Sequence, residues 1–240
     1  PNPKGVKASI IHIDIDPAEI GKNVNAHIPI VGDVKSVLRE FTKEIETCPC
    51  DEWLKKVQAA KKEAPLRGEP RTDFVEPRAF MRDLSAMMED DAILTADVGQ
   101  NQIWAANNFN TKEGRFLTSG GMGTMGYALP AAIGAKLAKP KRQVVAVCGD
   151  GSFQMSMCEL ATANQNQVPL KLVVMRNKFL GMVKELQDNL YQGRHVATPL
   201  NGDPDIVKLV QAYGIKAVFA QNNEDAKKLA KEMLESKEAY

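Results

Sequence analysis

From residue 78 onward, short apolar runs alternate with longer stretches in which apolar residues recur at helical spacing. The runs AILTAD, QVVAVC and LKLVVM are apolar almost throughout, which is typical of strands buried on both faces. Strands separated by helix-length connections pair in parallel, because a short hairpin cannot join them. The alternation therefore predicts an α/β fold in which helices cover both faces of a parallel sheet. It also predicts one helix over residues 152–166 and a last strand in IKAVFA, residues 215–220.

The chain before residue 64 has its own pattern, with strands predicted in SIIHIDI and HIPIVGD and two helices after them. An Asp-Pro pair between the two strands predicts the start of a short helix. A proline-rich stretch without periodicity follows. We therefore predict a first domain over residues 1–63, a linker over residues 64–77 and a second domain over residues 78–240.

The composition excludes several classes of function. The formal net charge is +1, which gives no reason to expect binding to nucleic acid or to an acidic membrane surface. No apolar run approaches the roughly 18 residues of a membrane-spanning helix, and no signal-peptide pattern is visible. The cysteines and histidines are not spaced as a zinc site requires. We therefore expect a cytoplasmic protein with free thiols.

A glycine-rich stretch, SGGMGTMG, raises the hypothesis of a dinucleotide site. Gly121, Gly123 and Gly126 fit the pattern G-x-G-x-x-G, and Asp150 follows at about the distance of a ribose-binding acid. An NAD-binding Rossmann oxidoreductase needs a full strand before the glycines, and only the short RFLTS stands there. This hypothesis also gives no role to the polar residues that follow the next two strands, so it remains a distant alternative.

Those polar residues predict a metal and phosphate site. Asp150 ends one predicted strand and Asn177 ends the next, and the carboxyl ends of parallel strands are where ligands bind. One carboxylate and one amide oxygen, completed by carbonyls and phosphates, suit Mg²⁺. Gly151 allows the backbone to approach a phosphate, and Ser152 begins a helix whose free N–H groups favour an anion.

The pair GDG and Asn177 resembles the signature of the thiamine-diphosphate-dependent enzymes. Within that family the chain is most similar to the catalytic subunits of acetolactate synthases (acetohydroxyacid synthases), through HIDIDPAEIGKN, DVGQNQIWAA, FLTSGGMGTMGYALPAAIGAKLAKP, GDGSFQM and LGMV. The resemblance implies that residues 1–63 are the C-terminal part of the central domain. It implies that residues 78–240 are the diphosphate domain without its last strand. The pyrimidine-binding domain of the family has no counterpart here.

The resemblance also implies roles for individual residues. Mg²⁺ would be held by the side chains of Asp150 and Asn177 and by the main-chain oxygen of Phe179. Met125 would pack under the aminopyrimidine, and Met182 would lie beside the thiazolium. The implied cofactor-binding residues are Gln100, Asn101, Gly123, Met125, Gly149, Gly151, Ser152, Asn177, Leu180, Gly181 and Met182.

The activity implied by the resemblance is decarboxylation of pyruvate and ligation of the two-carbon unit to a second 2-keto acid. The product, 2-acetolactate, belongs to branched-chain amino-acid biosynthesis. In the family an activating Glu comes from the pyrimidine domain of a partner subunit, so no catalytic residue is assigned to this chain. We expect the 240 residues alone to be inactive, within a protein that forms dimers or tetramers of the same subunit and has a possible small regulatory subunit.

Two features bear on the kind of acetolactate synthase. Leu186 stands where many biosynthetic relatives have a Trp that favours 2-ketobutyrate, so that preference is in doubt. FAD is possible in the full-length enzyme through a segment that includes Asp14 and Asp33, although little or none is expected on this chain. The alternatives are a catabolic acetolactate synthase, another thiamine-diphosphate 2-keto acid decarboxylase or carboligase, and a non-catalytic ligand-binding or assembly module.

Overall fold

The computed structural model describes residues 9–47, 49–63, 73–202 and 204–240. The chain divides into two compact units, residues 1–68 and residues 69–240. Residues 64–72, most of the predicted linker, lie outside the described residues, and the predicted domain limits stay a prediction. No helix among the described residues is long and apolar enough to cross a lipid bilayer.

The first unit contains a two-stranded parallel sheet and two helices. The elements are β1 (Ile11–Asp14), β2 (Ile28–Val31), α1 (Val34–Glu44) and α2 (Asp51–Glu63). The strand in SIIHIDI was expected to be buried, but Ile11 is 49% exposed, as is Ile28 on the neighbouring strand. The short helix predicted after Asp16 is wrong. The side chain of Asp16 instead accepts a hydrogen bond from the N–H of Ala18 at 2.8 Å, which closes a turn.

The second unit alternates helices and strands along the chain. Its elements are α3 (Pro77–Met87), β3 (Ile93–Ala96), α4 (Gln100–Asn108), β4 (Arg115–Thr118), α5 (Ala128–Ala138), β5 (Val144–Gly149), α6 (Asp150–Ser156), α7 (Glu159–Gln165), β6 (Lys171–Met175), α8 (Gly181–Leu190), α9 (Ile206–Ala212) and α10 (Asn223–Glu235).

The four strands of this unit form one parallel sheet in the order β4-β3-β5-β6. Residues of β5 alternate between two apolar cores, one on each face of the sheet. Val144, Ala146 and Cys148 pack on the face covered by α5, α7 and α9, whereas Val145 and Val147 pack on the face covered by α3 and α10. The predicted parallel sheet with helices on both faces is therefore confirmed.

Two predicted elements of this unit are wrong. The helix predicted over residues 152–166 is two helices, α6 and α7, separated by a turn at Met157 and Cys158. IKAVFA, residues 215–220, is not a strand. Tyr240 instead takes the pairing position beside β6, because its N–H donates to the carbonyl of Leu170 and its carbonyl accepts from the N–H of Leu172, both at 2.9 Å.

Candidate functional site

Asp150 lies where β5 ends and α6 begins, and its side chain joins two neighbouring strand ends. The carboxylate is almost fully buried. Its Oδ2 accepts from the N–H groups of Asn177 at 3.0 Å and Lys178 at 2.6 Å, both just beyond β6. Its Oδ1 accepts from the N–H of Gly151 at 2.9 Å. Hydrogen bonds from main-chain N–H groups favour the ionised carboxylate, which is the form that binds a cation.

The loop after β6 is held from two sides. The side-chain oxygen of Asn177 accepts from the N–H of Phe179 at 2.9 Å, and Lys178 has the left-handed φ of +62°. A segment over residues 196–200, which we call the strap, pairs with this loop. Leu180 donates to the carbonyl of Thr198, and Leu200 donates to the carbonyl of Lys178, each at 2.9 Å.

This pairing leaves a free direction for the carbonyl of Phe179. Phe179 faces Pro199 in an antiparallel bridge whose two hydrogen bonds are made by the flanking residues. In such a pair, the N–H and C=O of the bridged residue point away from the other strand. The Asp150 carboxylate, the Asn177 amide oxygen and this carbonyl are all oxygen donors, and their chemistry fits Mg²⁺. No group of three or more His, Cys, Asp or Glu residues in the described ranges could hold a metal, and this donor set contains a single carboxylate.

Glycines keep the backbone close to the same site. A Cβ on Gly151 would lie 2.7 Å from Cδ2 of Leu180 and 3.8 Å from Cε of Met125. A Cβ on Gly181 would collide with the side-chain oxygen of Gln100. Larger residues at either glycine would therefore displace side chains that line the site.

The predicted residues converge on a cavity of about 100 Å³. Gly123, which has a φ of +63° and is exposed, does not line this cavity, and neither does Leu186, which is 51% exposed. The predicted residues that line it are Gln100, Asn101, Met125, Gly149, Asp150, Gly151, Ser152, Asn177, Phe179, Leu180, Gly181 and Met182.

The two acidic residues suggested for FAD lie in the first unit and make local contacts. Asp14 accepts from the N–H of Asp16 at 2.9 Å. Asp33 caps α1 and accepts from the N–H and hydroxyl of Ser36 at 2.9 and 3.0 Å. The N–H of Ser36 is the main reason why the pKa of Asp33 is lowered. A helix cap explains Asp33 without a ligand, so its contact with FAD stays a prediction.

Sequence reasoning missed Asp97, Glu185 and Gln187, polar side chains that support the site from beyond its lining. Asp97, at the end of β3, is fully buried and accepts hydrogen bonds from the main chain of the glycine-rich stretch. Glu185 on α8 accepts from the side-chain amide of Gln100 at 3.0 Å. Gln187 on the same helix bonds to the strap through Val196 and Thr198. The strand-end rule could have found Asp97, but the contacts of Glu185 with α4 and of Gln187 with the strap have no local signal in the sequence.

A dinucleotide fingerprint requires the glycine-rich stretch and Asp150 to act on one ligand, but the stretch is bonded to a different acid, Asp97. The N–H of Gly126 donates to Asp97 on β3, and Gly126 has a φ of +86°. Oδ2 of Asp150 instead accepts from the loop after β6. The glycine-rich stretch is thus bonded to Asp97 and Asp150 to the Asn177 loop, an arrangement that the NAD hypothesis does not explain.

A larger cavity, of about 670 Å³, lies between β6 and residues 215–221. Its walls come mainly from apolar residues of β6, α9 and α10. Of the residues that the structure describes, three line both cavities: Trp104 of α4, Met175 at the end of β6 and Asn177 just beyond it. Size does not identify the chemical site here, because the convergent polar groups lie around the smaller cavity.

Comparisons with known proteins agree in both units. The family described as "Thiamine pyrophosphate enzyme, C-terminal TPP binding domain" matches residues 97–240. The family described as "Thiamine pyrophosphate enzyme, central domain" matches residues 2–41. The first match includes every residue that lines the smaller cavity. It also includes three of the four strands of the sheet, β4, β5 and β6, but not β3.

Curated relatives are about 40% identical to the chain over the aligned residues. A probable acetolactate synthase large subunit of Methanocaldococcus jannaschii is 43% identical over 98% of this chain and 41% of the relative. The acetolactate synthase isozyme 3 large subunit of Escherichia coli is 42% identical over 86% of this chain and 38% of the relative. The acetolactate synthase large subunit of Lactococcus lactis is 40% identical over 90% of this chain and 38% of the relative. The chain thus spans about two fifths of the length of these relatives.

Proposed function

Because the chain belongs to the thiamine pyrophosphate enzyme family, we propose that it is the C-terminal part of an acetolactate synthase large subunit. The observation that carries the proposal is the joining of two strand ends by Asp150, which brings the Asn177 loop beside α6. That arrangement offers oxygen donors for one Mg²⁺ next to a backbone that a diphosphate can approach.

In this proposal the residues of the chain hold and orient the cofactor. Asp150, Asn177 and the carbonyl of Phe179 hold Mg²⁺, which offsets the negative charge of the diphosphate. Ser152 offers a main-chain N–H group near the start of α6, and Gly151 lets the backbone come close to the diphosphate. Met125 packs against the ring system. When bound, thiamine diphosphate supplies a nucleophilic carbon and an electron sink for cleavage of the bond beside the pyruvate ketone.

Activity requires parts that this chain does not contribute. The activating Glu of the family would come from a pyrimidine domain, in an assembly of identical subunits. We infer that pyruvate is the donor and that pyruvate or another 2-keto acid is the acceptor. A small regulatory subunit is a further partner, since the relatives are named large subunits. The whole protein would act in the cytoplasm.

Leu186 bears on the acceptor. It is half exposed on α8, four residues beyond Met182 and therefore about one helical turn away. A Leu offers less area and no ring for stacking on an acceptor side chain. We therefore infer a weak preference for 2-ketobutyrate, which fits a catabolic acetolactate synthase or another carboligase as the second candidate. In the full-length protein, acceptor competition and aldehyde release would separate these candidates.

Calorimetric titration with thiamine diphosphate tests the proposal directly. Binding should require Mg²⁺ and be abolished by a chelator. Asp150→Asn should weaken it at least about tenfold, because the carboxylate is the only charged donor to the ion. The control Asp83→Asn changes an exposed carboxylate on α3 and should bind like the parent chain. Binding of NAD without any magnesium-dependent binding of thiamine diphosphate would overturn the proposal. The chain alone should form no acetolactate.

A further inference from the structure

Asp97 is a buried carboxylate to which the resemblance gave no role. It follows β3 directly and has no exposed surface. Its Oδ1 accepts from the N–H groups of Val98 and Gly126, and its Oδ2 accepts from the N–H of Ala128, all at 2.9 Å. An ionised carboxylate offers acceptors only, so it matches three main-chain donors without a conflict.

These bonds fix the end of the glycine-rich stretch. Gly126 leaves the stretch with a φ of +86°, a conformation that costs a glycine little and other residues more. Ala128 begins α5 two residues later. Asp97 therefore holds the chain on both sides of Tyr127. Because Met125 is bonded directly to Gly126, the same contacts limit where Met125 can lie.

The main chain of Asp97 holds a second segment of the site. Its carbonyl accepts from the side-chain amide of Asn101 at 2.8 Å, and its N–H donates to Val147 of β5 at 2.8 Å. Asn101 is buried and lines the smaller cavity, as Met125 does. One residue thus connects β5, the start of α4 and the glycine-rich stretch, each of which contributes a residue to the lining of that cavity.

We propose that Asp97 is a positioning residue for the cofactor rings: it sets the place of Met125 and its main chain relative to the metal loop. This inference rests on the proposed function. Asp97 is separate from the metal donors, since Asp150 and the Asn177 loop are held by their own hydrogen bonds. Its loss should therefore affect recognition of the rings and spare recognition of the magnesium-bound diphosphate.

The test compares two ligands on the full 240-residue chain. Calorimetry measures the affinity for thiamine diphosphate and for inorganic pyrophosphate, each with Mg²⁺. Asp97→Asn replaces one acceptor by an NH₂ group that faces main-chain donors. It should weaken thiamine diphosphate binding at least about tenfold and change pyrophosphate binding less than about twofold. Ser85→Ala is the control, because Ser85 is also buried and its hydroxyl accepts from the N–H of Asn110 at 2.8 Å, away from the residues that line the cavity.

The outcomes separate this inference from the proposed function. Failure of the parent chain to bind thiamine diphosphate would overturn the proposed function. Normal binding by the parent chain together with equal losses for both ligands in Asp97→Asn, or no loss for either, would overturn the positioning role alone. If Asp97→Asn does not fold, Asp97→Ser keeps one acceptor and should show the same selective loss to a smaller extent. Ser85→Ala should retain the ratio of the two affinities.

Discussion

The N–H of Asn177 donates to Oδ2 of Asp150 at 3.0 Å, across the ends of two adjacent strands. The two residues are 27 positions apart, and parallel pairing of β5 with β6 brings them together. The bond uses the main chain of Asn177, so its side-chain oxygen accepts from the N–H of Phe179 and, in our proposal, also binds the cation. This division of roles makes the side chain of Asn177 a clean target for mutation.

Asn177→Ala should lower the magnesium-dependent affinity for thiamine diphosphate about tenfold and change the unfolding free energy by less than about 1 kcal/mol. The side chain is exposed, its amide contact with Gln100 is long, at 3.5 Å, and its bond from the N–H of Phe179, at 2.9 Å, is local to a loop that the strap also holds. Calorimetry and urea denaturation measure the two effects. Asn189→Ala, on the exposed face of α8, serves as the control. A large loss of stability without a loss of affinity would contradict a metal-binding role.

Gln187→Leu should loosen the strap. The Gln187 side chain donates to the carbonyl of Val196 at 3.0 Å and accepts from the Val196 N–H at 3.2 Å and from the Thr198 hydroxyl at 3.3 Å. Loss of these bonds should speed amide hydrogen exchange at Leu180 and Leu200, which pair the loop with the strap. Asn189→Leu makes a matched amide-to-leucine change on the same helix and should leave exchange unchanged. Equal exchange in the two variants would mean that the strap does not depend on Gln187.

Lys171 should make stability depend on pH in the alkaline range. Burial, with repulsion from Lys136, lowers the pKa of Lys171 from 10.5 to about 8. Between these values the unfolded chain binds a proton that the folded chain has released, so the unfolding free energy should rise with pH. Below this range Lys171 is charged in both the folded and the unfolded chain, and burial of the charge lowers the unfolding free energy by its full amount.

Lys171→Met should therefore raise the unfolding free energy near neutral pH, by up to about 3 kcal/mol less the loss of the hydrogen bond to the Glu238 carbonyl. The gain should shrink as pH rises through the range and vanish above it. Urea denaturation at several pH values measures the difference. Lys208→Met alters an ammonium on a side chain that is 82% exposed, and it should give no such pH dependence. A pH-independent difference for Lys171→Met would contradict the lowered pKa.

Two glycines should respond to alanine with opposite signs. A Cβ on Gly114 would collide with the main-chain carbonyl of Ala92, so Gly114→Ala should cost more than about 2 kcal/mol of unfolding free energy. Gly134 lies in α5 with no atom within 4 Å of the added Cβ, and Gly134→Ala should add about 0.5–1 kcal/mol. Thermal or urea unfolding of the two variants checks this. A destabilising Gly134→Ala would show that the helix surface there is in contact with another group.

The apolar runs and the strand-end rule predicted much of the second unit. Buried strands are recognisable by near-continuous apolar residues. The strand-end rule predicted that Asp150 and Asn177 lie at one edge of the sheet. IKAVFA has an equally apolar pattern, yet a strand also needs a neighbour, and Tyr240 holds the available position beside β6. The pattern within one segment does not show which of two segments pairs with the edge strand of the sheet.

The role of Asp97 was hidden for a different reason. Its partners are main-chain N–H groups of Gly126 and Ala128, which any sequence offers. The turn at Asp16 is similar, because an Asp before Pro suits either a helix cap or a side-chain turn. The strap was not predicted, since its antiparallel bridge between Phe179 and Pro199 has no periodic signal.

The order of strands in the sheet has a kinetic consequence. Asp97, Asp150 and Asn177 follow β3, β5 and β6, which meet only after long crossover connections have closed. Contacts between distant parts of a chain form late in folding, because the entropy of loop closure must be overcome first. The cavity therefore cannot guide the early collapse of the chain. A cofactor can bind there only after the sheet has formed. During refolding, the ability to bind the cofactor should therefore return at the rate of the slowest strand-pairing step.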